Sequence, residues 1–239
     1  MSLRLENRVA LVTGGTGALG RAVVRRLLSA GAAVHTTWVV EREVEELRAF
    51  LGDTAEKVGM HKADATDRND MERVVSAVVK RDGRLDILAA LVGGFATSAL
   101  TDTSVADFEK MLALNATTAF AAARACVPRM RERKHGRIVL VGAVPALDRG
   151  AKEMAAYSAS KAAVVNLMES LSKELAADHI TVNAVVPTTI DTPANRASMP
   201  DADTSTWLTP DEIAEVIGFL ASDAGGIVTG TAVRLKKGG

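Results

Sequence analysis

Residues 8–20 decide the fold, and they read RVALVTGGTGALG. Residues 8–13 form an apolar run typical of a buried strand, and the glycine-rich turn after them opens a helix predicted over residues 18–30. Glycines let the backbone approach a pyrophosphate, and the helix N-terminus supplies free N–H groups and partial positive charge. A glycine pattern in this context predicts a dinucleotide-binding turn. Its candidate binding residues are Gly14, Thr16, Gly17, Ala18, Leu19 and Gly20.

Apolar runs alternate with segments of helical periodicity along the rest of the chain. The predicted strands are residues 8–13, 33–37, 58–63, 85–91, 136–141, 180–186 and 232–235. The predicted helices are residues 18–30, 41–51, 71–80, 104–133, 154–177 and 209–222. Strands separated by helices require right-handed crossovers and a parallel sheet covered on both faces. The expected fold is therefore α/β: a doubly wound, Rossmann-type parallel sheet of about seven strands, with helices on both faces, in a single domain over residues 1–239.

One long stretch, residues 188–208, is irregular and rich in Pro, Asp, Ser and Thr. Loops of this length within a compact domain are commonly functional lids. We therefore predict a substrate lid over residues 188–208.

The composition excludes several classes of partner and site. Lys plus Arg and Asp plus Glu balance at 29 each, which gives no electrostatic reason to expect nucleic acid or an anionic membrane. No uncharged apolar run approaches about 18 residues, so no membrane span is expected. Residues 1–8 lack the apolar core of a signal peptide, which makes a cytoplasmic location the expectation. The four histidines show no metal-ligand spacing, so no metal site is predicted, and the single cysteine, Cys126, is interpreted as a small buried side chain.

Tyr157 and Lys161 lie four residues apart on a predicted helix, and hence on one face of it. A free phenol has a pKa near 10 and is a poor acid–base catalyst at neutral pH, but a nearby ammonium group favours the phenolate. This pair is therefore a candidate catalytic dyad.

Together these motifs resemble the short-chain dehydrogenase/reductase family over nearly the whole chain. Residues 13–20 resemble its T-G-x-x-x-G-x-G loop, with Ala18 at the middle glycine, and residues 114–117 and 183–187 resemble two further family segments. The resemblance implies a nicotinamide dinucleotide cofactor, with Tyr157 donating or accepting the substrate proton and Lys161 binding the ribose and lowering the pKa of the tyrosine. It further implies that Asn115 supports a proton-relay water, and that the chain forms a homodimer or homotetramer through helices 104–133 and 154–177.

The same resemblance assigns the rest of the cofactor site. Asp64 and Ala65 would meet the adenine, and Pro187 would meet the nicotinamide, whose carboxamide Ile190 and Thr192 would hold. Residues 90–93, including Val92 and Gly93, stand where the family has N-N-A-G.

The choice between NAD and NADP depends on the end of the second strand, where an acid binds the ribose 2′-hydroxyl and an arginine accommodates a 2′-phosphate. This chain has Trp38 and Val39 there, so it offers neither group. The absence of a basic residue at Thr16 or Val39 favours NAD.

The chain departs from the family at Ala143, where the family has a serine that binds the substrate oxygen. Losing one such donor typically costs on the order of 3 kcal/mol in transition-state stabilisation. Several segments around the active site and the predicted lid resemble dihydropteridine reductase within the family. They are residues 92–95, 142–148 and 191–207.

Three functions remain open on the sequence. The first is an NAD(P)H-dependent reductase of a flat, pterin-like heterocycle, for which one phenolic proton donor suffices. The second is a carbonyl reductase or alcohol dehydrogenase, including reductases of 3-oxoacyl thioesters, in which Thr188, Thr189 or a water replaces the serine. The third is a non-catalytic dinucleotide-binding sensor.

Overall fold

The computed structural model describes residues 4–237. Residues 1–3 and 238–239 lie outside the described residues, and with them the two ends of the predicted domain and the start of the N-terminal segment 1–8. The strands are β1 (Val9–Thr13), β2 (Ala33–Trp38), β3 (Gly59–Lys62), β4 (Ile87–Ala90), β5 (Gly136–Val141), β6 (Ile180–Pro187) and β7 (Ala232–Leu235). They form one parallel sheet in the order β3-β2-β1-β4-β5-β6-β7. The doubly wound, single-domain Rossmann prediction is confirmed.

Helices connect the strands and cover both faces of the sheet. They are α1 (Ala18–Ser29), α2 (Glu41–Leu51), α3 (Arg68–Asp82), α4 (Val105–Leu112), α5 (Thr118–Glu132), α6 (Val144–Leu147), α7 (Ala155–Glu174), α8 (Pro193–Ser198) and α9 (Pro210–Ala221). The start of α9 matches its sequence signature: Thr209 and Glu212 form a capping box around Pro210.

Two apolar cores lie on opposite faces of the sheet because successive strand side chains point to opposite sides. In β1, Val9 and Leu11 face one core, together with residues of α3, α5 and α7. Ala10 and Val12 face the other core, together with residues of α1, α2 and α9. Cys126 is fully buried in the first core, as expected of a small apolar side chain.

The strand order reverses between β1 and β4, which are direct neighbours in the middle of the sheet. Crossovers from these two strands leave in opposite directions, and a crevice opens beyond their carboxyl ends. The glycine-rich turn after β1 lies at this crevice.

The structure corrects the predicted helix over residues 104–133. It is interrupted by a π-helical segment, Ala113–Thr117, between α4 and α5. One extra residue per turn widens the helix locally, a change that an apolar pattern of period 3.6 does not reveal. The predicted helix 154–177 ends at Glu174 and is followed by a separate 3₁₀ turn, Ala176–Asp178.

Predicted boundaries also shift elsewhere. Strands predicted at 58–63 and 85–91 are shorter, whereas the helix predicted at 71–80 begins at Arg68 because Asp67 accepts hydrogen bonds from the backbone N–H groups of Asn69 and Asp70. The sequence did not predict the one-turn helix α6.

The irregular stretch 188–208 is anchored at its base. The backbone of Leu208 pairs with both Thr189 and Asp191, at N···O distances of 2.9 and 2.7 Å, and Trp207 and Leu208 are buried. Between these anchors lie α8 and a 3₁₀ turn, Thr204–Thr206, and a bidentate ion pair joins Arg196 to Asp191. The lid over residues 188–208 stays a prediction, and these contacts fix only its base.

Candidate active site

The turn after β1 packs tightly enough to require glycine. A Cβ atom at Gly20 would lie 2.2 Å from the carbonyl oxygen of Gly14, so only a glycine allows α1 to start this close to the turn. Gly17 caps α1 with no side-chain hydrogen bond. The first backbone N–H groups of α1, in the turn that contains Ala18, Leu19 and Gly20, are therefore available for an anion.

A cavity of about 440 Å³ opens beside this turn at the carboxyl ends of β1 to β4. The predicted cofactor residues that line it are Gly14, Thr16, Gly17, Trp38, Asp64, Ala65, Val92 and Gly93. The lining residues that sequence reasoning did not assign to the cofactor are Thr37, Val39, Glu43, Ala63, Thr66, Leu91, Leu114 and Thr118. Close backbone approach, free helix N–H groups and a cleft of this size together fit a dinucleotide.

Six predicted cofactor residues do not line this cavity: Ala18, Leu19 and Gly20 form the first turn of α1, and Pro187, Ile190 and Thr192 lie at or after the end of β6. Pro187 ends β6, and Ile190 pairs with Leu208 at the base of the predicted lid. The hydroxyl oxygen of Thr192 accepts a hydrogen bond from the backbone N–H of Asn195, 3.1 Å away, and so caps α8. The hydroxyl hydrogen of Thr192 remains free to donate to a ligand.

Lys161 is buried in α7, with 6% of its surface exposed. Its Nζ donates a hydrogen bond to the carbonyl oxygen of Val141, the last residue of β5, at 2.9 Å. Burial lowers the pKa of Lys161 to about 8, because a charged ammonium loses hydration there.

Tyr157 lies one turn before Lys161, and its ring packs edge-on against Phe95, with ring centroids 4.9 Å apart. Burial raises the pKa of Tyr157 to about 12. The resemblance implied a pKa lowered by Lys161; in the chain by itself, loss of hydration dominates instead.

Asn115 sits within the π-helical segment, 1% exposed, with its side-chain amide fully engaged. Its Oδ1 accepts from the backbone N–H of Gly94 at 2.9 Å, while its Nδ2 donates to the Gly94 carbonyl at 3.1 Å and to Ser160 Oγ at 2.9 Å. Ser160 in turn donates to the carbonyl oxygen of Tyr157, 2.7 Å away. This chain of hydrogen bonds ties the loop after β4 to the first turns of α7.

Gly93 lies between the cavity and Lys161 of the candidate dyad. It lines the cavity, and a Cβ atom added to it would lie 2.7 Å from Asn115 Oδ1 and 3.2 Å from Lys161 Nζ. The amide and the ammonium group therefore stand directly behind the cavity wall.

Ala143 follows β5 at the position predicted for the missing serine and is 5% exposed. The neighbouring strand β6 runs in register, with Val141 opposite Val185, so Thr188 follows the same edge of the sheet. The hydroxyl oxygen of Thr188 is buried and has no hydrogen-bond partner within residues 4–237.

Three residues of this region were missed by sequence reasoning. Ser160 lies inside the Y-x-x-x-K segment, and Phe95 follows two glycines, but no pattern indicates their contacts. Glu43 approaches Thr16 only because α2 folds back over the turn after β1.

The described residues contain neither a cluster of metal-ligating side chains nor a membrane-spanning helix. Across residues 4–237, no group of three or more His, Cys, Asp or Glu side chains is placed to hold a metal ion. No helix in that same range combines the length and the apolar character needed to cross a membrane.

Comparisons with known proteins agree on the family. A family model described as short chain dehydrogenase matches residues 8–203. The chain is 31% identical over 245 residues to the 3-oxoacyl-[acyl-carrier-protein] reductase FabG of Thermotoga maritima, a match that covers 99% of both chains. It is also 31% identical over 252 residues to 2-(S)-hydroxypropyl-CoM dehydrogenase 3 of Xanthobacter autotrophicus, covering 100% of this chain and 98% of the other. The crystal structure of gox2181 superimposes with a TM-score of 0.91 at 33% identity, over 98% of this chain and 96% of that one. The chain therefore belongs to the short-chain dehydrogenase/reductase family of oxidoreductases.

Proposed function

We propose that the protein is an NAD(P)-dependent reductase of a small ketone, or the corresponding alcohol dehydrogenase. One observation carries this proposal: Gly93 places Asn115 and Lys161 immediately behind the cavity that fits a dinucleotide. The named relatives support ketone and alcohol chemistry, since one is a 3-oxoacyl reductase and the other a hydroxypropyl dehydrogenase.

The residues that line the cavity would hold the dinucleotide, with the first turn of α1 against its pyrophosphate and Asp64 and Ala65 beside its adenine. Pro187, Ile190 and Thr192 would face its nicotinamide end. When bound, the dinucleotide donates or accepts a hydride.

Tyr157 supplies the proton in this proposal. A phenol whose pKa is raised to about 12 is fully protonated at neutral pH, so it can donate to the carbonyl oxygen as negative charge develops there. In the direction of alcohol oxidation the same oxygen accepts the proton. Lys161 keeps two N–H donors beyond its bond to Val141, and these can bind ribose hydroxyls.

We assign Asn115 a positioning role. Both hydrogens of its amide are used by Gly94 and Ser160, so its side chain has no donor left for a relay water. It fixes the loop after β4, and through Ser160 the backbone of Tyr157, in one arrangement. A relay water would have to bind an acceptor, such as the carbonyl oxygen of Asn115.

Thr188 is the side chain best placed to replace the missing serine. Its hydroxyl is buried, has no partner among the described residues, and follows the same edge of the sheet as Ala143, so it is our candidate for the donor to a substrate oxygen. A buried hydroxyl without a partner is costly, and a ligand that accepts its hydrogen bond removes that cost.

Reduction of a pterin-like heterocycle is the second candidate, and Ala143 is the observation that favours it. Delivery of a hydride to a conjugated ring and of one proton to a ring nitrogen requires a single donor, which Tyr157 supplies. The named relatives favour the ketone substrate instead.

A substrate panel separates these functions. NADH and NADPH oxidation would be followed with simple ketones, an acetoacetyl thioester and quinonoid dihydropterin. We expect turnover with ketones or the thioester; turnover with the dihydropterin alone would replace the proposal by the second candidate. Binding of the dinucleotide without any turnover would favour the sensor.

Tyr157→Phe provides the matched variant for the panel, because it removes one oxygen and keeps the ring against Phe95. General acid–base groups typically contribute about 10²- to 10⁴-fold, so kcat should fall by this factor. The dissociation constant of the dinucleotide should stay nearly unchanged. An active Tyr157→Phe protein would refute the assigned proton donor.

Further parts of the proposal concern the whole protein. We propose a cytoplasmic homodimer or homotetramer, supported by exposed apolar side chains, Val105, Phe108 and Phe120, on α4 and α5. We also propose that residues 188–208 act as the substrate lid.

A further inference from the structure

The order of the strands places the adenosine ribose of a bound dinucleotide. β2 lies between β1, which carries the glycine-rich turn, and β3, which is followed by Asp64. A dinucleotide with its pyrophosphate at the turn and its adenine at Asp64 must pass its ribose over the end of β2, next to Trp38.

Acidic side chains alone supply the formal charge on the described lining of this cavity. They are Glu43 and Asp64. Asp64 is engaged locally, since its Oδ1 accepts from the backbone N–H and the hydroxyl of Thr66, at 2.8 and 2.7 Å. Glu43 is therefore the charged group that faces the cavity from the side of α2.

Glu43 is held in place by Thr16. The Thr16 hydroxyl, which belongs to a residue only 2% exposed, donates to Glu43 Oε2 at 2.7 Å. Glu43 also lies in the first turn of α2, where the helix dipole stabilises a carboxylate. Among the described residues no partner is recorded for Oε1, so this oxygen can accept a hydrogen bond from a ribose hydroxyl.

The basic side chains nearby contact other residues and do not line the cavity. Arg21 donates to the Thr16 carbonyl oxygen at 2.6 Å and pairs with Glu46, and Arg42 pairs with the same glutamate at 3.2 Å. Lys62 lies over the ring of Trp38, its Nζ 5.4 Å from the ring centroid, and does not line the cavity.

We infer that Glu43, fixed by Thr16, selects a dinucleotide whose adenosine ribose carries a free 2′-hydroxyl and repels one that carries a 2′-phosphate. This inference rests on the proposed function and deepens it, because it chooses NAD(H) over NADP(H). Like charges brought together across a binding site are an effective means of rejecting a competing ligand. The carboxylate of Glu43 on α2 would thus discriminate between the two dinucleotides, whereas Trp38 and Val39 at the end of β2 offer no charged group for this role.

The test is calorimetric binding of NADH and NADPH to the wild-type protein and to two variants. Glu43→Gln keeps an oxygen that accepts from Thr16 and removes the charge. Glu41→Gln is the matched control, because it makes the same change of charge in the same helical turn at an exposed residue that does not line the cavity.

We expect the wild-type protein to bind NADH at least about tenfold more tightly than NADPH, and Glu43→Gln to reduce this ratio by about tenfold, mainly by tightening NADPH. Glu41→Gln should leave the ratio within about twofold of the wild-type value. Equal or tighter wild-type binding of NADPH, or equal effects of the two variants, would overturn the inference while leaving a dinucleotide enzyme in place. Binding of neither dinucleotide would overturn the proposed function itself and the inference with it.

Discussion

Tyr157 is the only tyrosine in the chain, so its ionisation can be followed by tyrosinate absorbance without interference from other phenols. Its burial raises the pKa to about 12, and Lys161, whose pKa burial lowers to about 8, is already neutral when the phenol would ionise. A neutral amine does not stabilise a phenolate by charge, so in the chain by itself Lys161 does not offset the effect of burial on the pKa of Tyr157.

We therefore expect the protein without added dinucleotide to show no tyrosinate signal until well above pH 10. Addition of NAD⁺ should move the onset to lower pH, since a positively charged ring nearby favours the phenolate. The Tyr157→Phe protein, which has no phenol, sets the baseline. A titration midpoint at or below pH 10 without dinucleotide would contradict the burial argument.

Ala143 allows a test by gain of function. If the missing donor limits ketone reduction, Ala143→Ser should raise kcat/KM by about tenfold to a hundredfold, because one well-placed donor contributes on the order of 3 kcal/mol in the transition state. Steady-state kinetics on the best ketone of the panel would measure this effect. Ala146→Ser, the same change three residues later on α6, serves as the control, and unchanged kinetics in Ala143→Ser would show that another group, such as Thr188, already acts as donor.

The residues of the site differ in how far the sequence predicts them. Tyr157 and Lys161 are predictable because their relation is local: four residues on a helix define one face. The position of Glu43 depends on how α2 packs over the turn after β1, a tertiary relation that leaves no local pattern. The lowered pKa that the resemblance implies for Tyr157 concerns the protein with its dinucleotide bound and stays a prediction; the raised pKa in the chain by itself comes from burial, which is also a tertiary property.

Among the secondary-structure elements, the π-helical segment is the one tied most directly to the site. It turns Asn115 inward to the loop after β4, and the neighbouring Thr117 stays exposed. Asn115→Ala would leave the N–H and C=O of Gly94 and the hydroxyl of Ser160 without this partner. Ser160 still donates to the carbonyl oxygen of Tyr157, so the unpaired groups are the two of Gly94, which is only half-buried. A buried group left unpaired costs about 1–3 kcal/mol, and we therefore expect a loss of about 2–4 kcal/mol in the free energy of unfolding, with a lower kcat.

Thr117→Ala, a change in the same segment, should alter stability by less than about 0.5 kcal/mol and leave kcat unchanged. Urea unfolding followed by circular dichroism, with kinetics on the same preparations, measures both effects. Equal stability of the two variants would show that the amide of Asn115 does not hold the loop.

Elements with a strong apolar pattern were predicted well, and the failures share a cause. The segment 113–117 keeps the composition of a helix, so a single extra residue in its turn is invisible to periodicity. The short helices α6 and α8 contain too few residues to show any periodicity, and both include a proline near the start. Their positions follow from the strand ends and from the contacts at the base of the predicted lid.

At the scale of the whole molecule, buried histidines couple folding to pH. Burial lowers the pKa of His61 and of His135 to about 4, and His35, buried between His61 and Asp82, also has a lowered pKa. Below pH 6.5 the unfolded chain binds protons at these rings that the folded protein excludes. The stability from the neutral rings is thus present above pH 6.5 and is lost as the pH falls towards 4.

We expect the free energy of unfolding to fall between pH 7 and pH 5 by on the order of 1 kcal/mol for each of His61 and His135. Without a discount each ring would lose about 2 kcal/mol between its unfolded pKa of 6.5 and pH 5, at about 1.4 kcal/mol per pH unit, and we halve this value because both rings are partly hydrated. Urea unfolding at several pH values measures the slope, and His135→Asn should make it shallower. A free energy of unfolding that does not change over this interval would refute the expectation.

The alternation of strands and helices in the sequence also predicts much of the overall architecture. Alternating strands and helices sufficed to predict a parallel sheet with two covered faces, since helical crossovers between parallel strands bury both sides of those strands. They did not predict where the order reverses, although this reversal between β1 and β4 decides where the cavity opens.

Position 93 lets only the main chain stand between the dinucleotide cavity and the buried amide of Asn115. Even a methyl group there would clash with that amide at 2.7 Å, so the wall would have to move into the cavity or the amide away from it. In the proposed function, a side chain at residue 93 would therefore reduce the space for the dinucleotide and displace Asn115 at the same time. A library randomised at residue 93 and selected for turnover should return glycine far above its encoded frequency. Variants selected for activity on new substrates should therefore keep glycine at this position and change other residues.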